Sequence, residues 1–345
     1  GPDVVLSSLP LNLESPSDKN PGRAWLLPII RDYTKNAKLS IFINDFIPLI
    51  KYFEATFEKL PEESVQLKVF QTVVDQIWST LPRFCELPSD LRDSFTDGFA
   101  SELASLLYGK VELRPTICHA LKVLVQSNSL YVSGSYADDV LLQQQFPVQE
   151  AQKNLEYLSS KSANLLAVLF NIFTQTAPNA RGHILETIDA YLKITASEDL
   201  AKTFDNICGL LKNAFDEEGK NNNKNKNANK LSATLLDLIV AMTKYVPESS
   251  YPALFSIFNT TVNSPDPLIQ KRSYRIITKL SELEKGSEAV LNFISDIEKV
   301  MIESAKTVHT SSKAARLAAI KTLVELLPSD HLGFIVQLVA EIILS

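Results

Sequence analysis

The most regular candidates for chemistry in this chain are cations separated by one turn of a helix. Lys271, Arg275 and Lys279 recur every four residues, and Arg272 lies beside the first of them. Residues four apart share one face of an α-helix, so these side chains form a basic row. Another face of the same segment is apolar and carries Ile269, Ile276, Leu280 and Leu283. The pattern predicts a basic row that can meet phosphates or an acidic partner.

A second basic row follows about one repeat later. Lys313 and Arg316 take nearly the same helical positions, and Lys321 lies further along. In stacked helix pairs the second helices line one concave surface, so the two rows would combine into a ladder for RNA or a protein partner. The alternative is an ordinary solvated face, whose charge is balanced by the nearby acids Glu282, Glu284 and Glu288.

No pattern of residues predicts catalysis, a cofactor or a metal ion. The phosphate-binding glycine motifs are absent from the sequence, and its four histidines show no metal-ligand spacing with cysteine or carboxylates. The one neighbouring Cys/His pair, Cys118 and His119, would diverge by about 100° on a helix. A hydrolase hidden in an irregular helical fold would need a polar cluster that the sequence does not show. We therefore predict a protein that is not an enzyme, with no catalytic residue, no cofactor and no small-molecule substrate.

Composition narrows the class of protein. The chain has 345 residues, of which 45% are hydrophobic, and a net charge of −6, so a general polyanion binder is excluded and any nucleic-acid contact must be local. Its three cysteines, Cys85, Cys118 and Cys208, are far apart, which fits a reducing compartment. The apolar runs are too short to span a bilayer.

The elements that must position the basic rows are helices in pairs. Apolar residues recur with helical spacing. The sequence has few glycines and few runs that alternate apolar and polar residues, so it does not indicate strands. Three segments align at a spacing of roughly 42 residues, as in HEAT or armadillo repeats: "KLSATLLDLIVAMTK" (230–244), "QKRSYRIITKLSEL" (270–283) and "SKAARLAAIKTLVELL" (312–327). The predicted fold class is all-α, an α-solenoid of HEAT/armadillo-like helix pairs.

The predicted domain organisation is one solenoid over residues 21–345. Residues 1–20 are expected to be irregular, and Gly1-Pro2 is typical of what a tag-removing protease leaves. Polar composition predicts loop insertions at about 127–147 and 216–230, the second being rich in Asn and Lys. Because the sequence ends on an apolar helical pattern, we expect a fragment of a longer protein.

The stretch "PGRAWLLPIIRDYTKN" (21–36) predicts the first helix of a pair. Its apolar side chains are expected to pack inward, and they are Trp25, Leu26, Ile29 and Ile30. Arg23, Arg31 and Lys35 lie on the polar side and are candidates for contact with a partner.

The amino-acid sequence of this region resembles that of a known family. "GRAWLLPIIRDYTKNAKLSIFINDFIPLI" (22–50) is similar to the opening of the conserved domain of the ribosomal-RNA-processing protein twelve family. Its continuation is similar in "LKVFQTVVDQIWSTLPRFCELPSDL" (67–91) and "LRPTICHALKVLVQSN" (113–128). The specific resemblance covers roughly the first 130 residues, and the later repeats are generic.

The resemblance implies a non-enzymatic HEAT-repeat scaffold of ribosome biogenesis. Such a protein would bind the pre-ribosomal particle, both pre-rRNA and assembly factors, and would act in rRNA processing, small-subunit maturation and subunit export. It would reside in the nucleolus and nucleus and could shuttle to the cytoplasm. The alternative prediction is an importin-like nuclear transport receptor that binds a small GTPase and cargo, because such receptors are also acidic HEAT arrays.

Overall fold

The computed structural model describes residues 1–14, 22–220 and 230–344. These residues form helices and turns and contain no strand, so the all-α prediction is confirmed for them. The chain divides into two units, Gly1–Ile194 and Thr195–Ser345. The prediction that both belong to one continuous solenoid stays a prediction. Within the described ranges no helix is both long and apolar enough to cross a membrane.

The first unit contains twelve α-helices among its described residues. They are α1 (Pro2–Ser8), α2 (Leu26–Tyr33), α3 (Leu39–Ile41), α4 (Ile47–Phe57), α5 (Val65–Trp78), α6 (Leu81–Phe84), α7 (Leu91–Ser94), α8 (Asp97–Gly109), α9 (Arg114–Val132), α10 (Val140–Gln145), α11 (Val148–Gln175) and α12 (Gly182–Ile194). Helices α9, α11 and α12 pack against one another. Their packing is fixed by polar contacts as well as apolar ones, because Thr187 and Tyr191 of α12 donate hydrogen bonds to the carbonyls of Cys118 and Leu121.

Sequence explains where several of these helices begin. The side chains of Ser64, Thr96 and Asp139 accept hydrogen bonds from the backbone N–H of the third residue of α5, α8 and α10. Such N-caps satisfy donors that have no partner inside the helix. The carboxylate of Asp90, which is about 50 residues away in the sequence, caps α3 in the same way. It accepts hydrogen bonds from the N–H groups of Leu39 and Ser40 at 2.6 and 3.1 Å.

A π-helical turn over Phe42–Phe46 joins α3 to α4. A π turn contains an extra residue compared with an α turn, so it changes which side chains face the core. Phe42, Phe46 and Ile47 are buried, whereas Ile43 is only half-buried. The rings of Phe42 and Phe46 lie within 6 Å of the Phe84 ring, forming an aromatic cluster at the centre of this region.

The second unit contains eight α-helices among its described residues. They are α13 (Ser197–Lys220), α14 (Leu231–Met242), α15 (Tyr251–Thr261), α16 (Pro267–Ser281), α17 (Glu284–Asn292), α18 (Ile294–Ser304), α19 (Lys313–Leu326) and α20 (Leu332–Leu344). Helix α14 packs on α16, and α16 packs on α19, so the three aligned segments are neighbours. Helices α13 and α15 pack against α14 and α16, as expected for the first helices of pairs.

The local sequence also explains where α16 begins. The carboxylate of Asp266 accepts a hydrogen bond from the N–H of Leu268 at 2.8 Å, and Pro267 is the first residue of the helix.

The predicted irregular segment over residues 1–20 is wrong for residues 2–8, which form α1. Pro2 starts this helix, which has no buried residue, and Leu6 lines the same cavity as Phe46 and Leu49. Proline is favoured at the first position of a helix, so this segment carries a local start signal. Residues 15–21 lie outside the described residues.

The predicted loop insertion at 127–147 is largely helical. Helix α9 continues to Val132, and α10 covers Val140–Gln145, leaving a short turn between them. Polar residues of α9 are accommodated in the core by specific partners: Ser127 accepts from the N–H of Leu87, and Asn128 accepts from Asn154. Of the predicted insertion at 216–230, residues 216–220 belong to α13, residues 221–229 lie outside the described residues, and Lys230 precedes α14.

Candidate nucleic-acid interface

The basic row on α16 is partly free to meet a partner. Arg275 is exposed and Lys271 is half-exposed, and the structure gives neither an ion-pair partner among the described residues. Lys279 forms an ion pair with Glu282, three residues later, at 2.8 Å. An exposed pair of this kind is weak, at about 0.3–0.5 kcal/mol, so a phosphate can replace the carboxylate.

Arg272 is not part of this free surface. Its guanidinium donates two hydrogen bonds of 2.6 Å to the carboxylate oxygens of Asp237 on α14, and a third of 2.9 Å to the carbonyl of Leu268. A bidentate pair of this geometry holds a guanidinium firmly. The prediction that Arg272 binds a partner is therefore wrong for this structure: it joins α16 to α14.

On α19 the two terminal cations and the central one have different surroundings. Lys321 is exposed without an ion-pair partner in the described part of the chain, and Lys313 is half-exposed. Arg316 is only 2% exposed. It donates hydrogen bonds to the hydroxyls of Tyr274 and Ser304, at 3.1 and 2.9 Å, and to the carbonyl of Met301 at 2.7 Å.

The prediction that Arg316 contacts a partner is thus also wrong, and the repeat spacing gives the reason. Arg316 follows Tyr274 by 42 residues and contacts it, so it corresponds to a buried position of α16. The same offset pairs Lys271 with Lys313, Lys279 with Lys321, and Arg275 with Leu317. The second basic row therefore has an exposed leucine at its centre, in place of an arginine.

Exposed apolar side chains on the two helices that carry the cations were not predicted from the sequence. Leu268 on α16 and Leu317 and Val324 on α19 are more than a third exposed. Helical spacing alone would place Leu317 and Val324 on one apolar face with the buried Ile320. Strict use of the 42-residue offset would have placed Leu317 opposite the exposed Arg275.

The three cations near the start of the first unit all have partners within the chain. Arg23 donates to the carbonyl of Pro10 at 2.8 Å, Arg31 pairs with Asp32 at 2.8 Å, and Lys35 pairs with Asp139 at 3.0 Å. The hydrogen bond from Arg31 lowers the pKa of Asp32. These contacts are solvent-exposed or partly so, and they leave the predicted binding role of Arg23, Arg31 and Lys35 a prediction.

The apolar face predicted for α2 is correct for one half and wrong for the other. Leu26, Leu27 and Ile30 are buried. Trp25 is 56% exposed, and Ile29 is also exposed, because they lie on the opposite side of the helix from the core. The inward face therefore includes Leu27, which was not among the residues predicted to pack inward, and leaves out Trp25 and Ile29.

The cysteine and histidine residues do not form a nucleophilic pair. Burial raises the pKa of the Cys118 thiol to about 12, so at neutral pH it is a protonated, unreactive group. Burial also lowers the pKa of the neighbouring His119. Within the described ranges no three residues of the types His, Cys, Asp and Glu are grouped to hold a metal ion.

Comparison of the sequence with known proteins identifies a matching family. A family model described as "Ribosomal RNA-processing protein 12, HEAT repeats" matches residues 1–176. Among relatives, "Ribosomal RNA-processing protein 12" of Saccharomyces cerevisiae is 68% identical over 346 residues, covering 100% of this chain and 28% of its own length. "Putative ribosomal RNA-processing protein 12" of Schizosaccharomyces pombe is 33% identical over 350 residues, covering 100% and 30%. The human "RRP12-like protein" is 27% identical over 354 residues, covering 100% and 25%. The chain therefore spans less than a third of the length of these relatives.

Proposed function

Because the chain belongs to the ribosomal RNA-processing protein 12 family, we propose that it is a segment of a non-enzymatic ribosome-biogenesis scaffold that binds pre-ribosomal RNA through α16 and α19. The name of the family supports a role in rRNA processing. We further propose that the full-length protein acts in small-subunit maturation and subunit export. It would work in the nucleolus and nucleus, would shuttle to the cytoplasm, and would bind assembly factors as well as RNA.

The observation that carries the RNA-binding part is the set of free cations on two adjacent helices. Lys271, Arg275 and Lys321 have no ion-pair partner among the described residues, and α16 packs directly on α19. Adjacent helices are about 8–10 Å apart, and residues four apart on one helix are separated by about 6 Å. Cations at such spacings can each meet a phosphate of the same strand, and each contact releases a counterion.

The exposed apolar side chains on the same helices suit RNA that has unpaired nucleotides. Leu268, Leu317 and Val324 can contact sugars and the faces of unstacked bases, and a duplex does not present base faces to a protein surface. Phosphate contacts would supply most of the affinity, and the apolar contacts would favour loops over helices of the RNA.

The test is RNA binding by the intact chain after charge reversal on this surface. K271E/R275E/K321E should lower the affinity for a single-stranded segment of pre-rRNA about tenfold or more at 100 mM salt. It should also reduce the slope of log K against log[salt] by about 2, since each lost phosphate contact in a single strand removes about 0.7.

A matched control changes the same number of charges elsewhere in the second unit. K212E/K299E/K306E reverses three exposed lysines on α13, on α18 and in the turn after it, none with an ion-pair partner among the described residues. Equal loss of binding in both variants would show that only net charge matters, and the surface assignment would be refuted. Binding of a nuclear small GTPase without RNA binding would instead favour the importin-like alternative, for which no feature of the described residues speaks specifically.

A further inference from the structure

An acidic cleft of about 530 Å³ lies in the first unit between α4, α5 and the turn at Val111–Leu113. Four carboxylates line it: Glu54, Glu58, Asp75 and Glu112. The only cation in its lining is Lys110, which pairs with Glu54. The other three carboxylates have no ion-pair or hydrogen-bond partner among the described residues. The formal charge of the lining is therefore −3, from four acids and one lysine.

Helix ends add to this negative potential. Glu58 caps the C-terminus of α4, and Asp75 lies in the last turn of α5. The C-terminal end of a helix carries a partial negative charge, so a carboxylate there destabilises its own helix. Lys110, by contrast, follows the C-terminus of α8, where a positive charge is favourable. Neither acid is thus placed to stabilise the fold.

A buried donor without an acceptor lines the same cleft. Trp78 is 4% exposed, and its indole N–H has no hydrogen-bond partner among the described residues. Buried N–H groups are almost always paired, because leaving one unpaired costs free energy. One side of its ring packs near Phe42 at 5.7 Å, which fixes the indole in place. A ligand in the cleft that carries an acceptor would satisfy the hydrogen bond of this indole N–H.

We propose that this cleft binds a basic segment of a partner protein, with one or two lysine or arginine side chains among Glu58, Asp75 and Glu112. A backbone carbonyl of the segment would accept the hydrogen bond from the indole of Trp78. The volume lies within the range of sites that hold small ligands or a few residues of a peptide.

The chemistry of the lining favours a peptide over other cations. The carboxylates are not grouped closely enough to hold a metal ion, since the described residues contain no such group. An extended cation with apolar stems matches the spread charges and the apolar members of the lining, Phe57 and Val74. RNA is disfavoured because its phosphates would be repelled, so this site is distinct from the basic surface on α16 and α19.

The experiment uses the natural tryptophan of the cleft as the reporter. The chain has two tryptophans, so W25F leaves Trp78 as the sole indole. Titration of the intact W25F chain with an acetylated and amidated hexa-arginine peptide should change the Trp78 emission saturably. The change should weaken with salt, as expected for charge pairing.

Two variants in this background test the assignment. E58Q/D75N/E112Q should weaken peptide binding by about tenfold or more, because the three free carboxylates of the lining lose their charge. The matched control D93N/D138N/E156Q neutralises three exposed acids of the same unit outside the cleft and should bind as the parent does. Isothermal titration of the chain that retains Trp25 and carries W78F should show binding weakened by about fivefold from loss of the donor.

The outcomes separate the proposal from simpler accounts. Spermine and Mg²⁺ serve as further probes, and binding of spermine as tightly as hexa-arginine would reduce the cleft to a counterion site and overturn the proposal. Equal weakening by the control triple variant would do the same. Circular dichroism melts establish that each variant is folded. RNA binding measured in parallel should be unchanged by E58Q/D75N/E112Q, so failure here is independent of the function proposed for α16 and α19.

Discussion

Removing the ion pair between Arg272 and Asp237 should destabilise the second unit without acting through a partner. The two side chains are only 15% and 23% exposed, and both guanidinium–carboxylate distances are 2.6 Å. The perturbation is a double-mutant cycle made of R272Q, D237N and the double variant. Each single change leaves one charged group of a half-buried site without its partner.

The magnitude follows from the burial and geometry of the pair. Exposed ion pairs contribute about 0–1 kcal/mol, whereas breaking a fully buried pair costs about 3–5 kcal/mol. A mostly buried, bidentate pair lies between these limits, so we expect each single substitution to cost about 2 kcal/mol. The double variant should also cost about 2 kcal/mol rather than 4, which gives a coupling energy of about 2 kcal/mol.

The assay is urea denaturation of the intact chain followed by far-UV circular dichroism. Hydrogen exchange of peptides from α14 and α16 locates the loss. The control is the same cycle on Lys279 and Glu282, an exposed pair on one helix, where the coupling should be at most about 0.5 kcal/mol. A coupling for Arg272 and Asp237 no larger than this control would refute the structural role of Arg272.

Three further predictions concern buried groups. R316M should lower the free energy of unfolding by about 3 kcal/mol in urea, since it removes three hydrogen bonds of a buried guanidinium; a loss below 1 kcal/mol would contradict this. Burial lowers the pKa of His183 below its usual value of 6.5, so it stabilises the fold above that pH and loses this effect as the pH falls through its folded pKa. H183Q should therefore reduce the drop in melting temperature between pH 7 and 5, and an unchanged drop would argue against it. Thiol labelling of the native chain should reach only Cys208, slowly, because burial raises its pKa to about 11 and Cys85 and Cys118 are fully enclosed; labelling of all three before unfolding would contradict the structure.

The helices and much of the core could be predicted from the sequence. Ile184, Ile188 and Tyr191 share one face of α12 and are all buried, as the helical period indicates. The start of α16 has a local signal of the same kind, because Asp266 caps the helix and Pro267 is its first residue. These features depend on residues within one or two turns of each other, which a sequence displays directly.

The binding surface could be predicted only in part. The sequence shows that Arg272 and Arg316 are cations, but it does not show what they contact. Their partners are 35 residues away in one case and up to 42 in the other, so only the packed structure separates them from Lys271 and Arg275. The acidic cleft was missed for a similar reason, because three separate segments contribute its lining.

The π turn between α3 and α4 has a consequence for how this segment can change in evolution. An added residue in a helix rotates everything that follows by about 100°. Ile47, Ile50 and Phe53 of the helix that follows the turn at Phe42–Phe46 are buried. A homologue that lacks one residue here would keep its interior only if the apolar positions of the next helix also moved by one place. The length of the turn and the order of side chains after it are therefore inherited together.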